Sequence, residues 1–428
     1  MTVRKPGTGT SEGTADAPAQ RGAPRVLLLI PARTYRAADF LLAANRLGLD
    51  LVIGSDGALP LGGHPVIQVS TGDLHGSADR IMTRFGPVSA VVAADSPMLA
   101  LAAVVAARMG LPANPVEAVA AAGDKAAQRR CWAAASLAQP AFRIVPADAP
   151  EDSVRQAAAE VGFPCVVKAV SLSASQGILR ADDGSAAVAA ARRVQQILAA
   201  ARRPPIEPLL VEEYLPGPEL SIDGLLTAGD LTVTAIFDKP CTPEGPTFEE
   251  TVLTTPSRLP GPVLEAAVAT AGRAARTLGL TCGPIHAELR IGERSGVALP
   301  AMLELAARSI GGLCSRALRF GGGMTLEELV LASAVGHPLS RRHHARPSGV
   351  LMLPVPRHGI LQAVKGRNDA AAVPGITGLT ITIPIGQRVQ PLPEGDRYLG
   401  FIFAEGDTHQ DVEKALSTAY DRLHVVIH

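Results

Sequence analysis

Two residues of opposite charge lie four positions apart in an apolar segment, MLELAARSIGG at positions 302–312. A buried charge is costly unless it is paired or bound to an ion, so Glu304 and Arg308 need partners in the fold or in a ligand. Glu288, in the strand-like segment IHAELRI about one hairpin earlier, could face the same site. Two carboxylates are hard oxygen ligands, which Mg²⁺ prefers together with water and substrate phosphates. A simple pairing of Glu304 with Arg308 is the alternative, but it leaves Glu288 unexplained.

A second candidate site follows the apolar strand FPCVVKAVS, which ends near Lys168. The next residues, SLSASQGI, combine small hydroxyl side chains with Gly177. Such a turn could surround phosphate oxygens with backbone N–H groups, beside the lysine charge. The segment alone fits an ordinary hairpin turn with a solvated lysine at least as well. A Walker sequence, G-x-x-x-x-G-K-[ST], is absent.

The segment VEEYLPGPELSID at 211–223 is a third candidate. An apolar strand runs into two acids, an aromatic residue and a Pro-Gly turn, and a further acid follows. This order could place a hinge beside an adenine ring and put the Glu219 carboxylate beside two ribose hydroxyls. A solvated hairpin with acidic tips remains an open alternative.

The elements that would position these residues divide the chain into regions. The apolar strands RVLLLI, LDLVIGS, VIQVS and SAVVAAD alternate with helical segments, which predicts a small parallel-sheet α/β domain over residues 25–115. Mixed strands and helices predict a central domain over 116–340. A basic, proline-marked linker, HPLSRRHHARPS, then leads to an α+β lobe over 346–428. No G-x-G-x-x-G turn follows the early strands, which argues against a nicotinamide oxidoreductase.

Composition excludes several classes of function. Lys plus Arg and Asp plus Glu both total 40, so no net charge points to nucleic acid or an anionic membrane. Five cysteines without CxxC spacing suit a reducing cytoplasm rather than a thiolate metal site. Residues 1–24 have the composition of a disordered tail, and no uncharged run reaches the ~20 residues that span a bilayer. We therefore expect a cytoplasmic protein. Apolar helices such as LLAANRLG could form the interface of a homodimer.

The segments GDKAAQRR, FPCVVKAVSLSASQGI, VEEYLPGPELSID, HAELRI and LELAARSIGG together resemble the motifs of the ATP-grasp superfamily in order and spacing. The chain is most similar to its carboxylate–amine ligase branch, which includes the L-amino acid ligases. This resemblance implies an ATP-grasp fold with an N-terminal parallel-sheet (pre-ATP-grasp) domain and a C-terminal α+β lobe. It also implies ATP and Mg²⁺ as cofactors, and a small-molecule carboxylate and amine as substrates that react through an acyl-phosphate.

The resemblance also implies a role for individual residues. The catalytic residue is Arg308, and Glu288 and Glu304 are the metal ligands. The ATP-binding set is Lys125, Lys168, Ser173, Ser175, Gly177, Glu212, Glu213, Leu215 and Glu219. The candidate substrate residues are His286, Gly311 and Gly312, although His286 could equally be a hydrogen-bonded core residue.

One position departs from the family pattern. The last motif often has the form Glu-x-Asn-x-Arg, in which the Asn adds a metal ligand, and here that position is Ala306. A second magnesium ion would then be held more weakly. Rival functions remain open: a biotin-carboxylase-like or purine-pathway ATP-grasp enzyme, or a non-catalytic ATP-binding regulatory protein. The loop at 238–260 is either a substrate-specificity element or an ordinary solvated loop.

Overall fold

The computed structural model describes residues 22–58, 63–201, 207–241, 243–294, 297–337 and 346–428. Most of the predicted tail, and residues 338–345 of the predicted linker, lie outside these ranges. No helix within them is both long and apolar enough to cross a lipid bilayer.

The N-terminal lobe is built on a parallel four-stranded sheet with the order β3-β2-β1-β4, which confirms the predicted parallel sheet. Its elements are β1 (Arg25–Ile30), α1 (Ala37–Arg46), β2 (Asp50–Ser55), β3 (Val66–Gln68), α2 (Leu74–Phe85), β4 (Ala90–Ala93) and α3 (Leu99–Arg108). Alternate residues of β1 enter two cores: Val26 and Leu28 pack with α1, and Leu27 and Leu29 pack with α2 and α3. Burial on both faces explains the unbroken apolar run of this strand.

The next region forms a small antiparallel sheet with the order β5-β8-β6-β7. Its elements are α4 (Val116–Ala122), α5 (Lys125–Ala134), β5 (Phe142–Val145), α6 (Glu151–Val161), β6 (Cys165–Ala169), β7 (Ile178–Ala181), α7 (Gly184–Ala200) and β8 (Leu209–Glu213). Asp124 caps α5 by accepting a hydrogen bond from the N–H of Ala127, which fixes Lys125 at the first helical position.

The central sheet has eight strands in the order β13-β12-β9-β10-β11-β14-β18-β16, and every neighbouring pair is antiparallel. The first part of the chain in this region forms β9 (Glu219–Thr227), β10 (Asp230–Asp238), β11 (Val252–Thr255), α8 (Gly261–Thr277), β12 (Gly283–Arg294), β13 (Val297–Ala306) and α9 (Leu326–Ala334). The turn between β9 and β10 consists of Ala228 and Gly229, both with positive φ. Asp230 already pairs with Thr227 in the ladder, so the turn has only these two residues.

The C-terminal region continues this sheet. Its elements are β14 (Ser348–Leu353), β15 (Gly359–Lys365), α10 (Arg367–Ala371), β16 (Ile376–Ile381), β17 (Arg388–Val389), β18 (Gly400–Glu405), α11 (His409–Asp421) and β19 (His424–Ile427). Strands β14, β18 and β16 extend the central sheet through the β11–β14 pairing, and β17, β15 and β19 form a separate small sheet. The C-terminal lobe therefore shares a sheet with the centre of the molecule.

Candidate active site

A cleft lies between the small antiparallel sheet and the central sheet. It contains about 630 Å³ of empty space when the open solvent at its mouth is counted. The predicted residues that line it are Lys168, Ser175, Glu212, Glu213, Leu215, Glu219, Glu288 and Glu304. Four of the five motif segments therefore supply residues that line the cleft. The fifth, GDKAAQRR, does not line it but contacts two of the lining residues through Lys125 and Arg129.

On the side of the small sheet, the Glu212 carboxylate is held between two cations. Its Oε1 accepts a hydrogen bond from Arg129 Nε at 2.5 Å, and its Oε2 lies 2.7 Å from Lys168 Nζ. Burial lowers the pKa of Lys168, and the Glu212 carboxylate opposes this effect. Burial alone would raise the pKa of Glu212, but Arg129 and Lys168 hold it below its usual value. The Glu212 carboxylate is therefore already paired with two cations of the protein.

Lys125 connects the phosphate-loop segment with the candidate metal ligands. Its Nζ donates to the carbonyl oxygen of Leu172 at 2.6 Å and lies 3.1 Å from Glu304 Oε1. Its backbone N–H donates to the carbonyl of Val170. These contacts place one ammonium group between the loop that follows β6 and the carboxylate on β13.

The two candidate metal ligands face each other across a hairpin. Glu288 on β12 and Glu304 on β13 are register partners, so their side chains project from the same face of the sheet. The alternative pairing of Glu304 with Arg308 is wrong, because Glu304 pairs with Lys125 and Arg308 lies 3.6 Å from Asp95.

His286 orients Glu288. Its Nδ1 lies 3.0 Å from Asp223 Oδ2, and its Nε2 lies 3.3 Å from Glu288 Oε1. Burial alone would lower the pKa of His286, but Asp223 and Glu288 raise it to about 9. Burial alone would raise the pKa of Glu288, but Lys239 and His286 hold it well below its usual range. Both ring nitrogens have carboxylate partners, so the geometry favours the core interpretation of His286 over substrate contact.

Lys239 lies among three carboxylates. Its Nζ is 2.5 Å from Glu219 Oε1 and 3.6 Å from Glu288 Oε2, and it also contacts Glu250. Burial alone would lower the pKa of Lys239, but these carboxylates hold it well above its usual value. Lys239 was not predicted from the sequence, and Glu250 was predicted only as part of the loop at 238–260, whose function was left open.

Glu219, the predicted ribose ligand, has a second cation. Arg290 donates from Nε to Glu219 Oε2 at 3.0 Å and from Nη1 to the carbonyl oxygen of Leu215 at 2.7 Å. The guanidinium also lies over the ring of Tyr214, with 5.1 Å between Cζ and the ring centroid. Arg290 therefore fixes the hinge and the candidate ribose carboxylate relative to each other.

Arg308 lies where the central sheet meets the N-terminal lobe. Its Nε donates to Ser96 Oγ at 2.8 Å, and its Nη1 donates to the carbonyl of Ser309. Gly311 lies beside the guanidinium. Gly312 has a φ of +63°, and a Cβ there would lie 2.7 Å from Cε1 of Phe401. Packing against Phe401 is therefore a structural reason for Gly312, beside the expected approach of substrate.

The predicted phosphate loop has strained backbone. Ala174 and Ser175 both have positive φ, 56° and 57°, a conformation that costs free energy for residues with a Cβ. Such strain is concentrated in ligand-binding loops. Ser175 lines the cleft, whereas Ser173 is exposed and does not. The N–H of Gly177 donates to the carbonyl of Pro393 at 3.0 Å, which attaches the loop to the C-terminal lobe.

Two family matches agree with this geometry. The ATP-grasp domain family matches residues 161–317, and L-amino acid ligase C-terminal domain 2 matches residues 351–428. The chain therefore contains an ATP-grasp domain, followed by a C-terminal domain of the type found in L-amino acid ligases.

Individual proteins give the same picture. The uncharacterized protein y4rH of Sinorhizobium fredii (strain NBRC 101917 / NGR234) is 26% identical over 418 residues, which cover 96% of this chain and 84% of that protein. The crystal structure of an L-amino acid ligase from Bacillus licheniformis has a TM-score of 0.80 at 22% identity, over 95% of this chain and 100% of the other. The biotin carboxylase domain of Hydrogenobacter thermophilus 2-oxoglutarate carboxylase, solved with MgADP, ADP and bicarbonate, has a TM-score of 0.67 at 16% identity, over 94% and 90%. The two structures share the fold of this chain.

Proposed function

We propose that the protein is an ATP-dependent ligase that joins a carboxylate, either an amino acid or a related small acid, to an amine. The reaction proceeds through an acyl-phosphate and releases ADP and phosphate. The observation that carries this proposal is that Glu288 and Glu304, which both line the cleft, are register partners and that Lys125 contacts Glu304. Two carboxylates that can bind a divalent cation, beside a lysine, are suited to binding the phosphates of a nucleoside triphosphate.

The residues fit a magnesium ion. Glu288 and Glu304 offer carboxylate oxygens on one face of the sheet. Both ring nitrogens of His286 contact carboxylates, those of Asp223 and Glu288. An oxygen-only donor pair favours Mg²⁺ over softer transition metals. When bound, Mg²⁺ neutralises charge on the phosphate oxygens of the nucleotide.

The chain's own groups then position the reactants. Lys125 and Lys168 hold the phosphates, while the backbone at Glu213 and Leu215 meets the adenine ring. Little covalent chemistry is required of the protein, since phosphoryl transfer depends mainly on positioning and electrostatics. Closure of the loop at 171–177 excludes water, which would otherwise hydrolyse the acyl-phosphate.

Arg308 acts at the second step. Its guanidinium would stabilise the negative charge that develops on the carbonyl oxygen when the amine attacks the acyl-phosphate. Arg308 contacts Asp95 and Ser96 beside the central sheet, which supports a reacting carbonyl at the boundary with the N-terminal lobe. The match of residues 351–428 to the C-terminal domain of L-amino acid ligases favours an amine acceptor over bicarbonate.

The test is phosphate release from magnesium-ATP in the presence of amino acids, alone and in pairs, with mass spectrometry of each mixture. We expect release that requires a particular pair and yields a condensed product. If ATP binds but no mixture gives phosphate or product, the regulatory alternative is favoured. Release that requires bicarbonate and no amine would favour a carboxylase-like reaction.

A further inference from the structure

Arg36 is a buried cation at the boundary where Arg308 lies. It immediately precedes α1 in the N-terminal lobe, and its side chain is 2% exposed. Its Nη1 donates to the carbonyl oxygen of Ala94 at 2.9 Å, and its Nη2 donates to Ser309 Oγ at 2.6 Å. One guanidinium group therefore connects the residue after β4 with the segment that follows β13.

The two acceptors of Arg36 lie next to the contacts of Arg308. The Nε of Arg308 lies 3.6 Å from Asp95 Oδ1, and its Nη1 donates to the carbonyl oxygen of Ser309. Ala94 directly precedes Asp95 in the chain, and Ser309 contacts both arginines. Arg36 therefore connects the two backbone segments that hold the Arg308 guanidinium.

Stability alone is a poor explanation for this buried charge. The carboxylate that faces Arg36 is that of Glu327 on α9, which lies 3.7 Å from Nη2 and is equally buried. The Nε of Arg36 has no hydrogen-bond partner among the described residues. Apolar residues of the same volume often stabilise a fold as well as or better than a buried ion pair does. The arginine is therefore better explained by the two positions that its guanidinium connects.

The segment after Arg308 is held from two sides. The central sheet holds it through Asp223 on β9, whose Oδ1 accepts a hydrogen bond from the N–H of Ile310 at 2.8 Å. The N-terminal lobe holds it through the bond from Arg36 to Ser309. Loss of the second contact would leave this segment attached to the central sheet but no longer tied to the end of β4.

We propose that Arg36 is a positioning residue for Arg308. Its guanidinium fixes Asp95 and Ser309 relative to each other and thereby orients the Arg308 guanidinium towards the reacting carbonyl. The inference rests on the proposed function, which assigns the oxyanion to Arg308. A planar guanidinium binds two acceptors in a fixed geometry, and a lysine ammonium on a flexible stem does not reproduce this geometry.

The test is the steady-state kinetics of Arg36→Lys with the substrate pair identified by phosphate release. Lysine keeps the buried charge opposite Glu327 but loses the bond to two separate acceptors. We expect kcat for the condensed product to fall by roughly 10²-fold, the effect of a misplacement of about 1 Å, with the KM for ATP unchanged. In an Arg308→Ala background the same substitution should cause no further loss, because Arg36 acts through Arg308.

Arg46→Lys is the matched control. Arg46 ends α1 and also faces an acid of α9, since its Nη1 lies 3.7 Å from Glu328 Oε1, but its side chain is 61% exposed. This substitution should leave kcat unchanged. Ser309→Ala is a second test variant, because it removes the hydroxyl that Arg36 binds and keeps the carbonyl that Arg308 binds. Its kcat should also fall, and it decides the question if urea denaturation shows that Arg36→Lys is not folded.

An unchanged kcat in folded Arg36→Lys would overturn the inference, as would a full further loss in the Arg308→Ala background. Hydrogen–deuterium exchange of the peptide that covers residues 308–312 requires no activity, and it should be faster in Arg36→Lys than in the wild type. If the wild type forms no condensed product, the proposed function fails, and the exchange still shows whether Arg36 holds this segment. Unchanged exchange would then overturn the positioning role as well.

Discussion

Glu212 shows, at the scale of single residues, how the site depends on paired buried charge. Its side chain is 3% exposed and lies between Arg129 and Lys168. Removing one member of a buried ion pair leaves the other charges uncompensated. This destabilises the fold more than replacing the whole pair with apolar residues does. The same reasoning applies to Lys239 with its carboxylates.

We expect Glu212→Ala to lower the free energy of unfolding by about 3–5 kcal/mol, because Arg129 and Lys168 lose their shared carboxylate. Urea denaturation measures this. The matched control is Glu151→Ala, since Glu151 forms an exposed pair with Arg192 and should cost less than about 1 kcal/mol. Equal losses in the two variants would contradict the structural role of Glu212.

Arg308→Ala should leave binding of a fluorescent ATP analogue largely unchanged, because the guanidinium contacts Ser96, Ser309 and Asp95 at the lobe boundary. Product formation should fall by roughly 10²–10³-fold, the usual effect of losing one oxyanion donor. Arg319→Ala is the control, since Arg319 is exposed and bonds only to nearby carbonyls among the described residues. Loss of ATP binding in Arg308→Ala would contradict the role assigned to it.

At this scale, functional residues could be predicted from the sequence where a charged residue interrupts an apolar strand. Glu288, Glu304 and Lys168 were identifiable because burial forces such charges to find partners. Lys239 and Glu250 were not, since both lie in a loop rich in proline and acids, where charge is ordinary. Their contacts form only when that loop folds over the sheet, so they are visible in the structure and not in the sequence.

At the scale of elements, the hairpin of β12 and β13 sets the geometry of the proposed metal site. Its register pairs Glu288 with Glu304, and an irregularity just after Glu288 shifts the ladder by one residue. The strands themselves were predictable from their apolar character. The register irregularity was not, because a bulge depends on local backbone geometry rather than on residue type.

The segment after β13 carries a packing constraint at Gly312. We expect Gly312→Ala to lower the free energy of unfolding by about 2–5 kcal/mol, the sum of left-handed backbone strain and overlap with Phe401. Gly322→Ala is the matched control: its φ is +77° but no atom lies within 4 Å of the added Cβ, so strain of about 1–2 kcal/mol alone is expected. Thermal or urea unfolding compares the two. A loss no larger at Gly312 than at Gly322 would show that Phe401 adds no constraint.

At the scale of the whole molecule, the proposed phosphate loop is attached to the C-terminal lobe. The N–H of Gly177 donates to the carbonyl of Pro393, and Gln176 Nε2 donates to the carbonyl of Glu394 at 2.8 Å. The Glu394 carboxylate also pairs with Arg193 of α7 at 2.5 Å. No local sequence pattern predicts these contacts, because they join residues more than 200 positions apart.

We expect Arg193→Glu to raise the KM for ATP by at most about fivefold, since an exposed ion pair contributes up to about 1 kcal/mol. The double variant Arg193→Glu with Glu394→Arg should restore the KM, and steady-state kinetics measures both. Arg192→Glu is the control, because its partner, Glu151, lies on α6 away from the C-terminal lobe. If Arg192→Glu raises the KM equally, or the double variant fails to restore it, the attachment does not influence nucleotide binding.

The central claim is that ATP activates a carboxylate by forming an acyl-phosphate. The most direct measurement uses the substrate pair identified by phosphate release, with ¹⁸O in both oxygens of the carboxylate, and mass spectrometry of the phosphate formed. The acyl-phosphate route transfers one carboxylate oxygen to phosphate, so each phosphate should carry one ¹⁸O. Label in AMP, or phosphate free of label while the condensed product forms, would contradict the proposed reaction.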